Sequence, residues 1–252
     1  MVNQLRILVT LFFLLSVTIS CSVENSSTKT AVIDTSSTTP QNLSLPTFTK
    51  KVNYLALGDS YTIGESVCSS CRFPEQLKKA LENLNLKNSF ALDIIARTGW
   101  TTADLKAAIQ NQNPATNYDL VTLLIGVNNQ YRGQPFTVYE KEFKELAAKA
   151  ITLAGNDKTN IIVVSIPDYA YTPFGSRSGR GSTISKEIAT YNEFARKYCE
   201  ENAIAYSNIT DITQQGLQDP DLVAIDGLHP SEKAYSLFVN RIIAKAVAAL
   251  QN

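Results

Sequence analysis

Tyr54-Leu55-Ala56-Leu57-Gly58-Asp59-Ser60-Tyr61 is the stretch whose reading decides the fold. The apolar run from Tyr54 to Leu57 is that of a strand buried on both faces. Gly58 halts it, and an acid and a serine follow at once. In open α/β sheets ligands sit outside the carboxyl ends of the strands, so Ser60 stands at a functional rim if this strand is central. Gly, Asp and Ser are also ordinary turn residues. The weight given to Ser60 therefore comes from what the other strand ends carry.

Beyond Ser60 the chain alternates helix and strand signals. Phe73, Leu77, Ala80, Leu81 and Leu84 recur at helical spacing, with Pro74 in the first turn where a missing N–H costs nothing. Phe90–Ala96 reads as a second strand, followed by the turn Arg97-Thr98-Gly99-Trp100. Thr101-Thr102-Ala103-Asp104 has capping-box spacing and opens a helix through Gln110. Leu120–Ile125 is a continuous β-rich run that ends at Gly126. A second capping box at Thr137–Glu140 opens a helix with Tyr139, Phe143, Leu146, Ala150 and Leu153 on one face, stopped at Gly155. Ile161–Ile166 is a fourth strand, halted by Pro167. A Gly/Arg-rich loop, Pro167–Ser182, leads to a helix from about Thr183 to Asn202. Ala203–Ser207 is a fifth strand, and a last helix runs from Ser231 to Leu250.

Strands separated by amphipathic helices build a parallel sheet covered on both faces. The predicted fold class is α/β: a three-layer α/β/α sandwich with about five parallel strands in the flavodoxin-like order 2-1-3-4-5. It fills residues 51–252 as one domain, with no internal repeat.

The predicted carboxyl rim gathers the chemistry. Strand one delivers Asp59 and Ser60, strand two Thr98 and Gly99, strand three Gly126-Val127-Asn128-Asn129. Asp226 and His229 stand just before the last helix, and His229 is the only histidine in the chain. A serine hydroxyl needs a base within hydrogen-bond reach to act as a nucleophile, and histidine suits because it titrates near working pH. The base needs a carboxylate to fix its tautomer. Asp226 and His229, three apart around Gly227, can meet through Nδ1 and leave Nε2 facing outward. The backbone N–H groups of Ser60 and Gly99 and the amide of Asn128 are candidate donors to an oxyanion.

Taken in order, these blocks resemble the SGNH (GDSL-type) hydrolases. Gly58-Asp59-Ser60 matches the block that holds the nucleophile, Gly99 the second-block glycine, and Gly126-x-Asn128 the third block with its oxyanion asparagine. Asp226-x-x-His229 matches the block that supplies acid and base. The resemblance covers about 53–250 and implies an α/β/α sandwich that hydrolyses esters through an acyl-enzyme, with no metal or cofactor. One residue departs from the pattern, since Asn129 stands where the family has aspartate. The G-x-S-x-G elbow of α/β-hydrolases is absent, because Thr62 follows where glycine would fall.

Tyr131, Arg132, Tyr171 and Arg177 are candidate substrate-binding residues in the third and fourth loops, where aromatics and arginine suit a sugar or an anionic head group. Expected substrates are small acyl esters on carbohydrate or lysophospholipid-type esters. Two readings from other classes stand beside the esterase: a surface binding protein on a retained hydrolase fold, and a thiol–disulfide oxidoreductase using Cys68 and Cys71.

Charge sets aside nucleic acid as a partner. Lys plus Arg and Asp plus Glu both number 23, and no basic run tracks a phosphate backbone. The N-terminus reads as an export signal: Arg6 precedes an apolar run from Ile7 to Ile19, too short to span a bilayer comfortably, and Ser20-Cys21 follows. The signal peptide is residues 1–20. Cys21 after a small residue resembles a bacterial lipobox, although Thr18 stands where leucine is usual, and implies lipidation at Cys21. Residues 21–50, rich in Ser and Thr, form a disordered tether. The expected protein is monomeric and sits in the cell envelope, held to the membrane only through that lipid; a soluble exported form is the alternative.

Cys199 falls in a helical pattern as a small buried hydrophobe. Cys68 and Cys71 admit three readings: a disulfide bracing the loop after Ser60, a redox C-x-x-C, or half of a zinc site with no second pair and no nearby histidine.

Overall fold

β1 spans Val52–Gly58, and only Asn53 within it is not buried, so it is an interior strand, flanked on both sides. The computed structural model describes residues 51–84 and 88–251; the expected signal peptide, the expected tether and Cys21 lie outside the described residues. β2 (Phe90–Ala96), β3 (Leu120–Leu124), β4 (Ile161–Val164) and β5 (Ala205–Ser207) complete a parallel sheet in the order β2-β1-β3-β4-β5, as the alternation of signals predicts.

Register decides where the loops leave. Gly58 pairs with Ala96 on one side and with Leu124 on the other. Three strands thus end level, and Asp59-Ser60, Arg97-Thr98-Gly99 and Ile125-Gly126 leave the sheet side by side. Strand order reverses between β1 and β3, the switch point at which doubly wound sheets open a crevice.

The helices are α1 (Ser60–Ile63), α2 (Phe73–Asn83), α3 (Thr102–Gln112), α4 (Val127–Tyr131), α5 (Phe136–Leu153), α6 (Pro173–Arg177), α7 (Gly181–Glu201), α8 (Thr210–Thr213) and α9 (Glu232–Ala249). α2 packs on α9 over one face of the sheet, and α3, α5 and α7 pack in sequence over the other. On α5 the predicted face is buried as expected, and its Tyr139 ring lies 4.4 Å from Tyr191 of α7. Cys199 is buried, and burial pushes its thiol up to about 12, so it is an inert core residue. All described residues fall within one compact unit, Ser44–Asn252. No helix among them is long and apolar enough to cross a membrane.

Thr101 caps α3 with a full capping box to Asp104, as predicted. The second box does not form. α5 starts at Phe136 with Pro135 as its N-cap, which leaves Thr137 inside the first turn. Packing is the reason: the Phe136 ring sits 5.0 Å from Tyr191 and 5.8 Å from Phe194, drawing the helix start upstream. The loop Pro167–Ser182 is more ordered than its Gly/Arg content implies. Asp168 and Thr172 cap a 3-10 turn, Tyr169–Tyr171, and then α6. β5 starts two residues late because Ala203 adopts a left-handed φ of 53°, which no strand continues.

Candidate active site

Ser60 is the first residue of α1. Its entry into the helix is fixed by Asp59, the N-cap, whose Oδ1 accepts the Tyr61 N–H at 3.0 Å. Asp59 is wholly buried, and burial drives its carboxyl up to about 7 against the backbone N–H groups that pull it down.

The β2 exit turns through Gly99 at φ 84°, a conformation L side chains rarely adopt. The β3 exit turns through Gly126 at φ 128°, where a Cβ would lie 2.5 Å from the Tyr139 ring and 2.9 Å from Ile166. That turn feeds α4, which carries Asn128 and Asn129. Asn128 Nδ2 donates to the Trp100 carbonyl at 2.9 Å, using one of its two N–H bonds and leaving the second. Asn129, fully buried, ties the two exits together. Its Oδ1 accepts the Thr102 N–H at 3.1 Å, and its Nδ2 donates to Thr102 Oγ1 at 2.7 Å and Gln134 Oε1 at 2.9 Å. The family aspartate could not make those last two donations.

The loop before α9 brings in Asp226 and His229. Asp226 Oδ1 accepts the N–H groups of Leu228 at 2.9 Å and His229 at 3.0 Å. Asp226 Oδ2 meets His229 Nδ1 at 2.6 Å and accepts the Ser66 hydroxyl at 2.7 Å. Partial burial works to raise the Asp226 pKa, but the hydrogen bonds from Ser66, His229 and Leu228 overcome it and hold the carboxyl at about 2. An ionised Asp226 can only accept, so a proton on Nδ1 suits this contact, and that tautomer leaves Nε2 as the free ring nitrogen. The His229 carbonyl accepts the Ala224 N–H at 2.7 Å, and its ring lies edge-on to Tyr61 at 5.7 Å.

Ser60, Gly99, Asn128 and His229 line one cavity of about 270 Å³. A hydroxyl, an oriented imidazole and candidate N–H donors around one small space are what acyl transfer needs. Among the described residues no group of three or more His, Cys, Asp or Glu side chains is placed to hold a metal ion.

A family model described as "GDSL-like Lipase/Acylhydrolase family" matches residues 56–237. The chain belongs to this GDSL-like family. It is therefore an ester-hydrolysing enzyme. No curated protein matches it. Solved structures share its fold. A lipase/acylhydrolase from Enterococcus faecalis is 20% identical with a TM-score of 0.59, covering 78% of this chain and 95% of its own. An esterase from Pseudoalteromonas sp., in a structure inhibited by monoethylphosphonate, is 19% identical with a TM-score of 0.55 over 79% of this chain and 99% of its own. An acetyl xylan esterase from Geobacillus stearothermophilus is 17% identical with a TM-score of 0.55 over 79% and 96%.

In this GDSL-like hydrolase the four predicted substrate-binding residues separate. Tyr131 lines the cavity and is 57% exposed. Arg132 does not line it: its guanidinium donates to the Gly99 carbonyl at 2.6 Å and lies 3.9 Å from Asp104, so it holds the β2 exit from behind. Tyr171 does not line it either, while Arg177 faces a neighbouring cavity with Arg180. Cys68 and Cys71 are joined as a disulfide in the loop after α1. Sequence reasoning missed Ser66, whose partner is 160 positions away, and Trp100, whose carbonyl orients Asn128. No local pattern marks either one.

Proposed function

We propose that this hydrolase is a serine esterase with Ser60, His229 and Asp226 as its triad. Ser60 Oγ attacks the ester carbonyl while His229 Nε2 takes its proton. The N–H groups of Ser60 and Gly99 and the Asn128 amide receive the oxyanion, each such donor being worth about 3–4 kcal/mol in other enzymes. The tetrahedral species collapses, the C–O bond breaks, and His229 returns the proton to the departing alcohol. Water then attacks the acyl-Ser60 ester by the same route and releases the acid. Asp226 stays ionised throughout and orients the imidazole.

The observation that carries this reading is the shared cavity of Ser60 and His229, with His229 Nδ1 held at 2.6 Å by a carboxylate whose pKa is depressed. The candidate substrates are small acyl esters on carbohydrate, or lysophospholipid-type esters. The structural neighbours include an acetyl xylan esterase and a lipase/acylhydrolase, which fits either class. Export, a lipid anchor at Cys21 and a monomeric state belong to the same proposal. Intact-mass analysis of the protein isolated from membranes tests the anchor.

A fluorophosphonate probe tests the triad. It labels the wild type and leaves Ser60→Ala and His229→Ala unlabelled; labelling of Ser60→Ala would remove Ser60 from its role. Monoethylphosphonate inhibition of the Pseudoalteromonas relative makes phosphorus electrophiles the natural choice.

A further inference from the structure

The catalytic cavity is small and carries little charge. Its volume of about 270 Å³ falls below the roughly 300–1,000 Å³ usual for small-molecule sites. Its lining holds no Lys, Arg, Asp or Glu. An ester with a long acyl chain or a bulky alcohol reaches beyond it, and a preference for charge has to come from the neighbouring surface.

That surface is a second cavity of about 410 Å³, which shares Tyr131, Tyr169 and Phe174 with the first. The three rings make a common wall, with Tyr131 packed 6.1 Å from Tyr169 and 6.2 Å from Phe174. The far side of the second cavity is lined by Arg177 and Arg180. Seven arginines lie among the described residues. Arg72, Arg132, Arg196 and Arg241 each reach a carboxylate within 4.0 Å. Arg97, Arg177 and Arg180 do not, and two of these three face the same cavity beside the catalytic one. Glu187 of α7, one turn beyond the cavity-lining Ile184, accepts a hydrogen bond from Gln130 Nε2 at 2.7 Å and forms an ion pair with neither arginine. No acid lines the second cavity to neutralise the pair.

We infer that Arg177 and Arg180 form an anion subsite, and that the enzyme prefers esters carrying a phosphate or carboxylate over neutral esters of the same shape. The inference rests on the esterase reading and names a substrate class for it. Guanidinium forks match both anions through paired N–H donors, and an unpaired arginine gives up no existing ion pair to bind one. The ester sits in the catalytic cavity, the linking atoms cross the aromatic wall, and the anion reaches the arginines. Both side chains are exposed, so solvent and salt screen the attraction and the expected effect is moderate.

The test uses two matched pairs and a neutral reference. 1-Lauroylglycerol against 1-lauroylglycerol 3-phosphate differs by a phosphate on a lipid. An acetylated methyl glucoside against the acetylated methyl glucuronoside differs by a carboxylate on a soluble sugar. The expected result is a charged-to-neutral kcat/KM ratio of roughly tenfold in at least one pair, which also says whether the anion comes from a lipid or a soluble ester. In the double variant Arg177→Gln/Arg180→Gln that ratio falls to within about twofold of one, as it does for the wild type in high salt. Ratios near one in both wild-type pairs, or a preference that survives the double variant, overturn the subsite. Turnover of 4-nitrophenyl acetate separates the two levels. If it proceeds while the ratios are flat, the subsite is wrong and the esterase stands. If it fails and the fluorophosphonate does not label, the esterase reading falls and takes the subsite with it.

Discussion

Ser66 Oγ donates a 2.7 Å hydrogen bond to Asp226 Oδ2, the same oxygen that faces His229 Nδ1 at 2.6 Å. Glu65, one residue earlier, accepts a hydrogen bond from the Thr98 hydroxyl beside Gly99. Two consecutive residues after the Ser60 helix thus tie down the β2 exit and the Asp226 loop. Ser66 does this from a left-handed φ of 65°, a conformation that costs a residue with a side chain about 1–2 kcal/mol. The strain is held where it serves the site.

That combination separates geometry from chemistry. Ser66→Gly relieves the backbone and removes the hydroxyl together. Thermal stability should hold or rise, while kcat on 4-nitrophenyl acetate drops roughly three- to tenfold, the effect of a partly screened charge-assisted hydrogen bond. An unchanged kcat would mean that Ser66 only fills the loop.

The Cys68–Cys71 disulfide closes the same loop two residues further on. So short a bridge constrains the unfolded chain little, by roughly 2 kcal/mol. Its larger effect should be on Ser66. Cys71→Ser is expected to lower kcat to about the Ser66→Gly level, and the double variant Ser66→Gly/Cys71→Ser should fall no further. Additive losses would place the disulfide outside the Ser66–Asp226 link. Under a thiol–disulfide oxidoreductase reading, Cys71→Ser abolishes function and Ser60→Ala spares it.

Asn129→Asp tests the departure from the family pattern. Thr102 Oγ1 gives its proton to Glu142, so a carboxylate at position 129 would meet an oxygen with no hydrogen to offer. The variant should lose about 1–3 kcal/mol in chemical denaturation at neutral pH, the cost of an unsatisfied buried group. Adding Glu142→Gln supplies an N–H to Thr102, frees its proton and should restore most of the loss. Equal stability of the single variant and the wild type would show that the amide has no special fit.

Asp59 predicts a pH slope. Its folded pKa, about 7, is raised above the ordinary 3.8. A raised carboxyl favours the fold fully below the ordinary value, and that contribution is lost as pH rises through about 7. Asp59→Asn removes the titration. The stability of the variant minus that of the wild type should therefore climb between pH 4 and 8, by on the order of a few kcal/mol. Melting curves across that range check it, and a flat difference would contradict the buried, neutralised carboxyl.

The sequence by itself determined the sheet and the composition of the rim. The burial of β1 and the glycine turns at Gly99 and Gly126 follow from local pattern, because apolar runs and positive-φ glycines are local properties of a chain, and the strand order follows from the rules that govern alternating strands and helices. So does the Asp226–His229 pair, whose members lie three residues apart and meet within a single turn. Tertiary structure decided what supports these groups. Ser66 on Asp226, Trp100 on Asn128 and Asn129 on Thr102 join residues 160, 28 and 27 positions apart. It also turned Arg132 to the back of Gly99 and left Arg177 beside Arg180. Hydrogen bonds across exit loops are set by strand register and by how the loops pack, and neither is written in the spacing of the residues that make them.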